Sequence, residues 1–431
     1  MSTLKITSLM TIMAFLFGCQ QSTTMPQTDR GGPAVHHTRG AELPQNIRPN
    51  DATISLYNDK RINFIERRRS QGRLYTVEPK GNAVRFKQDT NPANLTLEKE
   101  LSEGYILSYL FYDDGVVKYN GKAATGRLNR DVDDEMLFFT HSTGKSITSY
   151  IVGHAICEGY ISSANELIDW PMMRNTLYQG QPLLDLLNMR AGDKHTIDER
   201  HSHYVMGSKL HHRNMGLNRI AALLEGTKKK GRSLFYNNFL ADVIANYVVF
   251  KAGNNYDDLM RKVFQDKAKI AHPISYEKHA KSFRASITLP GDLSKYYGDP
   301  QTLASYSYHM TRMDFLRVAE AMMKDYQNQT CVGRYLKDAQ QNAEPWGTVG
   351  DHLRDNSKLW INNYAQKYGY QFYFNFQGMS DRNIFGTEGY LGQNMLIDMD
   401  NSRIVVTNSA ATAWDTRLFM LNVIKDGVLP N

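Results

Sequence analysis

Sheet-forming segments at both ends of the chain, with helical patterns between them, predict an α/β (α+β) fold. The expected architecture is an antiparallel sheet built from both termini and flanked by helices, with a mainly helical region inserted at about residues 160–330. Three observations carry this. Tyr105–Tyr112, the turn Asp113-Asp114-Gly115 and Val116–Tyr119 read as a hairpin. Strand patterns return near residues 368–376, 393–399 and 402–409. Helical patterns fill the interval, at 214–226, 238–251, 256–268 and 311–326, and a last helix is expected over 412–425. The 431 residues suit one large domain or two, and 41% apolar content with 11% aromatics is enough to fill a core.

The N-terminus comes first. Residues 1–18 read as a secretory signal: Lys5, an apolar run from Ile6 to Phe17, then Gly18 before Cys19. The run is short for a membrane span. Leu16-Phe17-Gly18-Cys19 resembles the lipobox of bacterial lipoproteins, whose cysteine becomes the lipidated N-terminus, although Phe17 is an uncommon residue there. An ordinary signal peptide with a fortuitous cysteine stays open. Gln20 does not carry the inner-membrane retention signal of that class. The resemblance implies a lipid-anchored protein of the bacterial cell envelope, on the outer membrane facing the periplasm. Residues 19–50 are rich in Thr, Gln, Pro and Gly and read as a flexible tether, leaving 51–431 as the domain. Cys157 and Cys331 are the other two cysteines. Cys157 lies in an apolar helical pattern, so two free core thiols are expected rather than a disulfide.

Net charge is +7 and scattered. Arg67-Arg68-Arg69 and Lys228-Lys229-Lys230 read as solvated loops rather than a nucleic-acid surface. Residues 51–100 are mixed and give no clear element.

Phe138 to Tyr150 reads as a buried strand end running into a helix, continuing to about Glu158 and closed by Gly159. Ser142 and Lys145 stand three apart, so the amine and the hydroxyl share a helix face. A serine needs an adjacent base to become a nucleophile, and the unpaired N–H groups of a helix start can hold an oxyanion. Gly144-Lys145-Ser146 imitates the end of a P-loop, but that motif needs glycine where Phe139 stands. Pro182–Gly192 reads as a short helix ending at glycine. His195, His201, His203, His211 and His212 lie in a polar segment over 193–212. No familiar metal-ligand spacing accompanies them, so a solvated loop over the active-site mouth is expected, with no metal and no cofactor.

Tyr236-Asn237-Asn238 stands just before a helix. By itself it reads as a turn with Asn238 as cap. Beside a lysine, a tyrosine can instead have its pKa lowered and act as a base, and the amide can hold the lysine. Phe385–Asn394 carries Gly386, Gly389 and Gly392, which let a backbone approach a ligand closely or simply form a hairpin turn.

Ser142-x-x-Lys145, then Tyr236-x-Asn238 about 90 residues on, then a glycine-bearing strand near the C-terminus resembles the serine β-lactamase and penicillin-binding superfamily. The likeness is closer to its class C-like branch, which includes esterases, D-aminopeptidases and 6-aminohexanoate-dimer hydrolases. Leu183–Gly192, Met310–Asp314, Tyr368–Phe372 and Gly389–Gln393 resemble further segments of that branch, and the likeness covers about residues 100–425. It implies a β-lactamase-like fold with Ser142 as the acylated nucleophile and Lys145 and Tyr236 sharing base and acid work. Asn238 would orient the lysine and substrate. The oxyanion hole would combine the N–H of Ser142 with that of Tyr390, with Gly389 and Gly392 letting the strand come close. One departure stands out: where many members carry Lys-Thr-Gly or His-x-Gly, this chain has Thr387-Glu388-Gly389. The missing cation weakens the case for carboxylate-bearing β-lactam or peptidoglycan substrates. The expected function is therefore a serine hydrolase of a small-molecule ester or amide. A β-lactamase or D,D-peptidase, and a non-catalytic surface lipoprotein that keeps the fold, are the alternatives.

Overall fold

A computed structural model describes residues 50–89, 92–197, 221–278, 305, 307–346 and 361–431. The expected signal peptide, tether and Cys19, the histidines 201, 203, 211 and 212, and most of the helix expected at 214–226 lie outside the described residues.

Among the described residues, two sheets form the core. The larger has nine strands, and both ends of the chain meet in it. Strands β3 (Ile106–Asp113) and β4 (Val116–Lys122) are the predicted hairpin, turned at Asp114 and Gly115, both with positive φ. Such a two-residue turn matches the twist of the strands it joins. β3 is buried on both faces, so its sequence is apolar and aromatic save for Ser108 and the terminal Asp113, whereas β4 alternates. β3 pairs antiparallel with β13 (Arg403–Ser409), placing Tyr109 opposite Thr407. β12 (Asn394–Asp398), β11 (Ile384–Thr387), β10 (Phe372–Phe376), β9 (Ala365–Gly369) and β8 (Glu344–Pro345) continue outward, and β2 (Lys87–Gln88) flanks β4. All these pairings are antiparallel except β2 with β4. The expected sheet from both termini is therefore present.

The strand expected over 368–376 is a hairpin instead. Tyr370 and Gln371 both take positive φ between β9 and β10. Neither is a usual turn residue. Tertiary bonds hold the turn: Tyr370 N–H donates to Asn188 Oδ1 (2.9 Å), Gln371 N–H to the Leu187 carbonyl (3.1 Å), and Ser146 Oγ–H to the Gln371 carbonyl (2.6 Å).

A second, four-stranded sheet was not foreseen. It runs β1 (Leu74–Val77), β6 (Ile274–Glu277), β7 (His309–Thr311), β5 (Leu137–Phe139). β5 leads straight into helix α3 (Thr143–Cys157), nearly all of which is buried. α4 (Leu183–Leu187), α5 (Asn238–Ala252) and α6 (Tyr256–Arg261) lie in the inserted region. α7 (Arg312–Gln327) covers β12 and β13, and α8 (Cys331–Gln341) packs on α3. Thr311 caps α7, accepting from Asp314 N–H (3.2 Å). The chain closes with α9 (Asn422–Asp426).

Three expectations are corrected. Cys157 and Cys331 form a disulfide, joining the last residue of α3 to the first of α8. The apolar pattern around Cys157 reported burial of the helix, while its terminal position brought a second helix start within bonding distance. Residues 51–70 are a helix, α1 (Asp51–Ser70), capped by Asn50, whose side chain accepts from Thr53 N–H. Arg67-Arg68-Arg69 is thus its last turn rather than a loop, with Arg68 buried against Glu277 at 2.7 Å. Another helix, α2 (Leu95–Glu103), also falls in the stretch that gave no clear element. Among the described residues no helix is long and apolar enough to cross a membrane.

Candidate active site

The strand-to-helix corner sets Ser142. His141 takes φ 46°, and Ser142 is the N-cap of α3. A left-handed non-glycine residue costs about 1–2 kcal/mol, so the surroundings hold this corner against its own preference. They do so through the first turn of α3. Thr143 Oγ1–H donates to the Gln393 carbonyl (2.6 Å), and Thr143 and Thr387 hydroxyls pair at 3.1 Å. Gly389 lies flat on the corner: a Cβ there would stand 2.3 Å from the Thr140 carbonyl and 2.8 Å from that of Gln393. The close approach at Gly389 is to the protein's own backbone. Gly392, with φ 81°, turns the chain back, its N–H donating to the Gly389 carbonyl (2.9 Å). Tyr390 rides on that turn, edge-on to His141 with ring centroids 5.5 Å apart.

Lys145 is buried, at 1% exposure. Its Nζ donates to Ser142 Oγ (2.9 Å), to Asn238 Oδ1 and to the Ser305 carbonyl (3.1 Å), and lies 4.9 Å from the Tyr236 ring centroid. Residues about 90 apart in sequence thus converge on one amine.

α5 organises this side. Asn237, not Asn238, is its N-cap, accepting from Leu240 N–H (2.8 Å). That leaves the Asn238 side chain for Lys145. Asn237 Nδ2 donates in turn to Asp193 (3.1 Å), which also accepts from Tyr178 (2.9 Å). Burial pushes the Asp193 carboxyl up to about 6 against those bonds. One turn into α5, Asp242 accepts from Ser305 N–H (2.8 Å), so the same helix fixes the carbonyl facing Lys145. Ser305, Asp193 and Asp242 went unnoticed in the sequence. The first acts through its backbone, and the others look like any acid near a helix.

Tyr236 is half-buried in an aromatic nest, with Trp346 and Tyr368 rings each 6.1 Å away. The expectation of a lowered pKa is not met. Burial drives the hydroxyl well above its ordinary value, and the Glu388 carboxyl adds to this, against hydrogen bonds with Ser142 and Tyr373. Lys145 sits over the ring face, so its amine meets the π-electrons rather than the oxygen. The Tyr236 hydroxyl is therefore held protonated beside Ser142 rather than as a resident phenolate.

Glu388 does not point outward. It is buried, 8% exposed, beside Tyr236 and Tyr373, and Asn362 N–H donates to Oε2 at 2.8 Å. Burial lifts its pKa to about 8 despite the amides of Asn362 and Ile361. The third motif so places a largely neutral acid where a cation was sought. Of the histidines expected at the mouth, His195 is exposed and the rest lie outside the described residues.

The arrangement can deprotonate Ser142 with a buried amine and relay the proton through a phenol. No family model matches the chain, and no curated protein matches it. Solved structures do. A protein assigned as a 6-aminohexanoate-dimer hydrolase from Bacillus anthracis aligns at TM-score 0.50 and 13% identity, over 82% of this chain and 88% of that one. One assigned as a β-lactamase from Bacteroides dorei aligns at TM-score 0.50 and 13% identity, over 75% of this chain and 94% of that one. At such identity the likeness establishes the fold, and the chain has the β-lactamase-like fold that its sequence predicted.

Proposed function

We propose that this chain, built on the β-lactamase-like fold, is a serine hydrolase that cleaves an ester or amide through an acyl-enzyme on Ser142. The observation that carries the reading is the 2.9 Å contact of Lys145 Nζ with Ser142 Oγ, inside a cage made by Asn238 and the Ser305 carbonyl. In the neutral form the amine takes the Ser142 proton as Oγ bonds to the substrate carbonyl carbon. Tyr236, hydrogen-bonded to Ser142, passes its proton to the leaving alcohol or amine as that group's bond to carbon breaks, and takes back the proton that Lys145 holds, which leaves the amine neutral and the phenol intact. Water then attacks the acyl-enzyme by the same relay, releasing the acid and restoring Ser142. The N–H groups of Ser142 and Tyr390 would share the developing oxyanion.

The β-lactamase or D,D-peptidase reading uses the same machinery. It is disfavoured because the third motif is Thr387-Glu388-Gly389, with a buried acid and no cation of its own to pair a substrate carboxylate. A non-catalytic surface protein would have no need of a buried lysine held by three acceptors. The export signal and Cys19 support a place in the bacterial cell envelope through a lipid anchor. The Cys157–Cys331 bond supports an oxidising compartment.

Intact-mass measurement after exposure to a fluorophosphonate, a penicillin and a p-nitrophenyl ester tests the reading. One covalent adduct on the wild type, phosphonyl from the fluorophosphonate or acyl from the ester, and none on Ser142→Ala is the expected result. For turnover, kcat/KM for a short p-nitrophenyl ester should exceed that for a chromogenic cephalosporin by at least about 10², or roughly 2.7 kcal/mol in the transition state. A cephalosporin rate equal to the ester rate would promote the β-lactamase reading instead.

A further inference from the structure

A small cavity of about 20 Å³ lies against the nucleophile corner. Asn58 and Arg61 of α1, Phe139 and His141 ahead of Ser142, and Leu391 and Gln393 after the glycine turn are among its walls. Arg61 is 9% exposed and rests on the Phe138 ring, 4.9 Å from its centroid. Its Nε and Nη2 have no hydrogen-bond partner among the described residues, and neither has Nδ2 of the buried Asn58. All three orphan atoms are donors. Among the described residues no aspartate or glutamate lines the cavity. The other buried arginine of the same helix, Arg68, has its carboxylate in Glu277. A buried guanidinium without a counter-charge is costly and calls for an anion. Burial draws the Arg61 pKa down only to about 10, so the charge persists at neutral pH.

We propose that this cavity is a carboxylate-binding subsite next to the nucleophile, where Arg61 and Asn58 hold the terminal carboxylate of a flexible acyl chain. The proposal rests on the hydrolase reading and narrows its substrate to esters or amides of short dicarboxylic acids. The cavity admits a carboxylate head but not a ring, so it does not restore the missing recognition of a β-lactam.

Two measurements separate the subsite from the chemistry. The first is thermal unfolding of the full chain with propionate, propionamide and chloride, for wild type, Ser142→Ala, Arg61→Met and Arg61→Lys. Propionate should raise Tm in wild type and Ser142→Ala, propionamide should not, and Arg61→Met should abolish the shift. If Arg61→Met does not fold, Arg61→Lys and Asn58→Ala take its place and should weaken it. The second compares p-nitrophenyl esters of adipic acid (the half-ester) and hexanoic acid. Loss of the charged pair should raise KM for the half-ester at least about 10-fold in Arg61→Met, leaving the hexanoate within about threefold. Equal shifts with propionate and propionamide, a shift with chloride alone, or equal losses on both esters would overturn the subsite. A propionate shift without ester turnover would instead overturn the hydrolase reading and leave the anion site standing.

Discussion

Glu388→Gln isolates the buried acid of the third motif. Glu388 faces Tyr236 and Tyr373 and accepts from the amides of Ile361 and Asn362, with no cation among these groups. Its pKa rises from an ordinary 4.5 to about 8. At about 1.4 kcal/mol per pH unit, the neutral form is favoured in the folded state by about 5 kcal/mol. Between those two values the folded chain holds a proton that the unfolded chain has released. Stability from this residue is therefore complete below pH 4.5, falls as pH rises, and is gone above about 8. The amide variant keeps an acceptor for the Asn362 N–H but cannot ionise. Urea unfolding with the disulfide intact, at intervals from pH 5 to 9, gives the comparison. Wild type and variant should match near pH 5, and the variant should be the more stable by several kcal/mol at pH 9. Ionised Glu388 also pushes the Tyr236 hydroxyl further up, so ester kcat/KM should show an alkaline limb near pH 8 that the variant lacks. Parallel stability curves across the range would refute the placement of a buried, uncompensated carboxyl at this position.

Three further outcomes are expected. Lys145→Ala should lower ester turnover by about 10² or more while the chain still folds, as read by steady-state kinetics and circular dichroism; near-full activity would sink the amine's role. Breaking the Cys157–Cys331 bond by Cys331→Ser should lower stability by about 5 kcal/mol on the chain-entropy account, given the separation of 174 residues, and an unchanged urea midpoint would count against the pairing. Cys19→Ser should move the protein from the membrane fraction to the soluble one, and continued sedimentation with membranes would place the anchor elsewhere.

What the sequence determined is local chemistry. The hairpin at Asp114-Gly115 was legible because two left-handed residues are needed there and the sequence supplies residues that tolerate them. β3 was legible because burial on both faces writes an apolar and aromatic run broken inside the strand only at Ser108. Ser142 and Lys145 were legible because one helical turn fixes their distance in advance. α1 was not, because its buried face carries Asn58, Arg61 and Arg68, and periodicity counts only apolar residues. The turn at Tyr370-Gln371 was not either, since its left-handed backbone is held by Asn188, Leu187 and Ser146 rather than by its own residues. Tertiary structure alone decided which asparagine caps α5 and which faces Lys145, and whether Glu388 faced water or Tyr236. It also joined Cys157 to Cys331. The physical reason is the same throughout. A pattern in sequence reports interactions within a few residues, whereas desolvation and charge pairing depend on which distant segments close over a group.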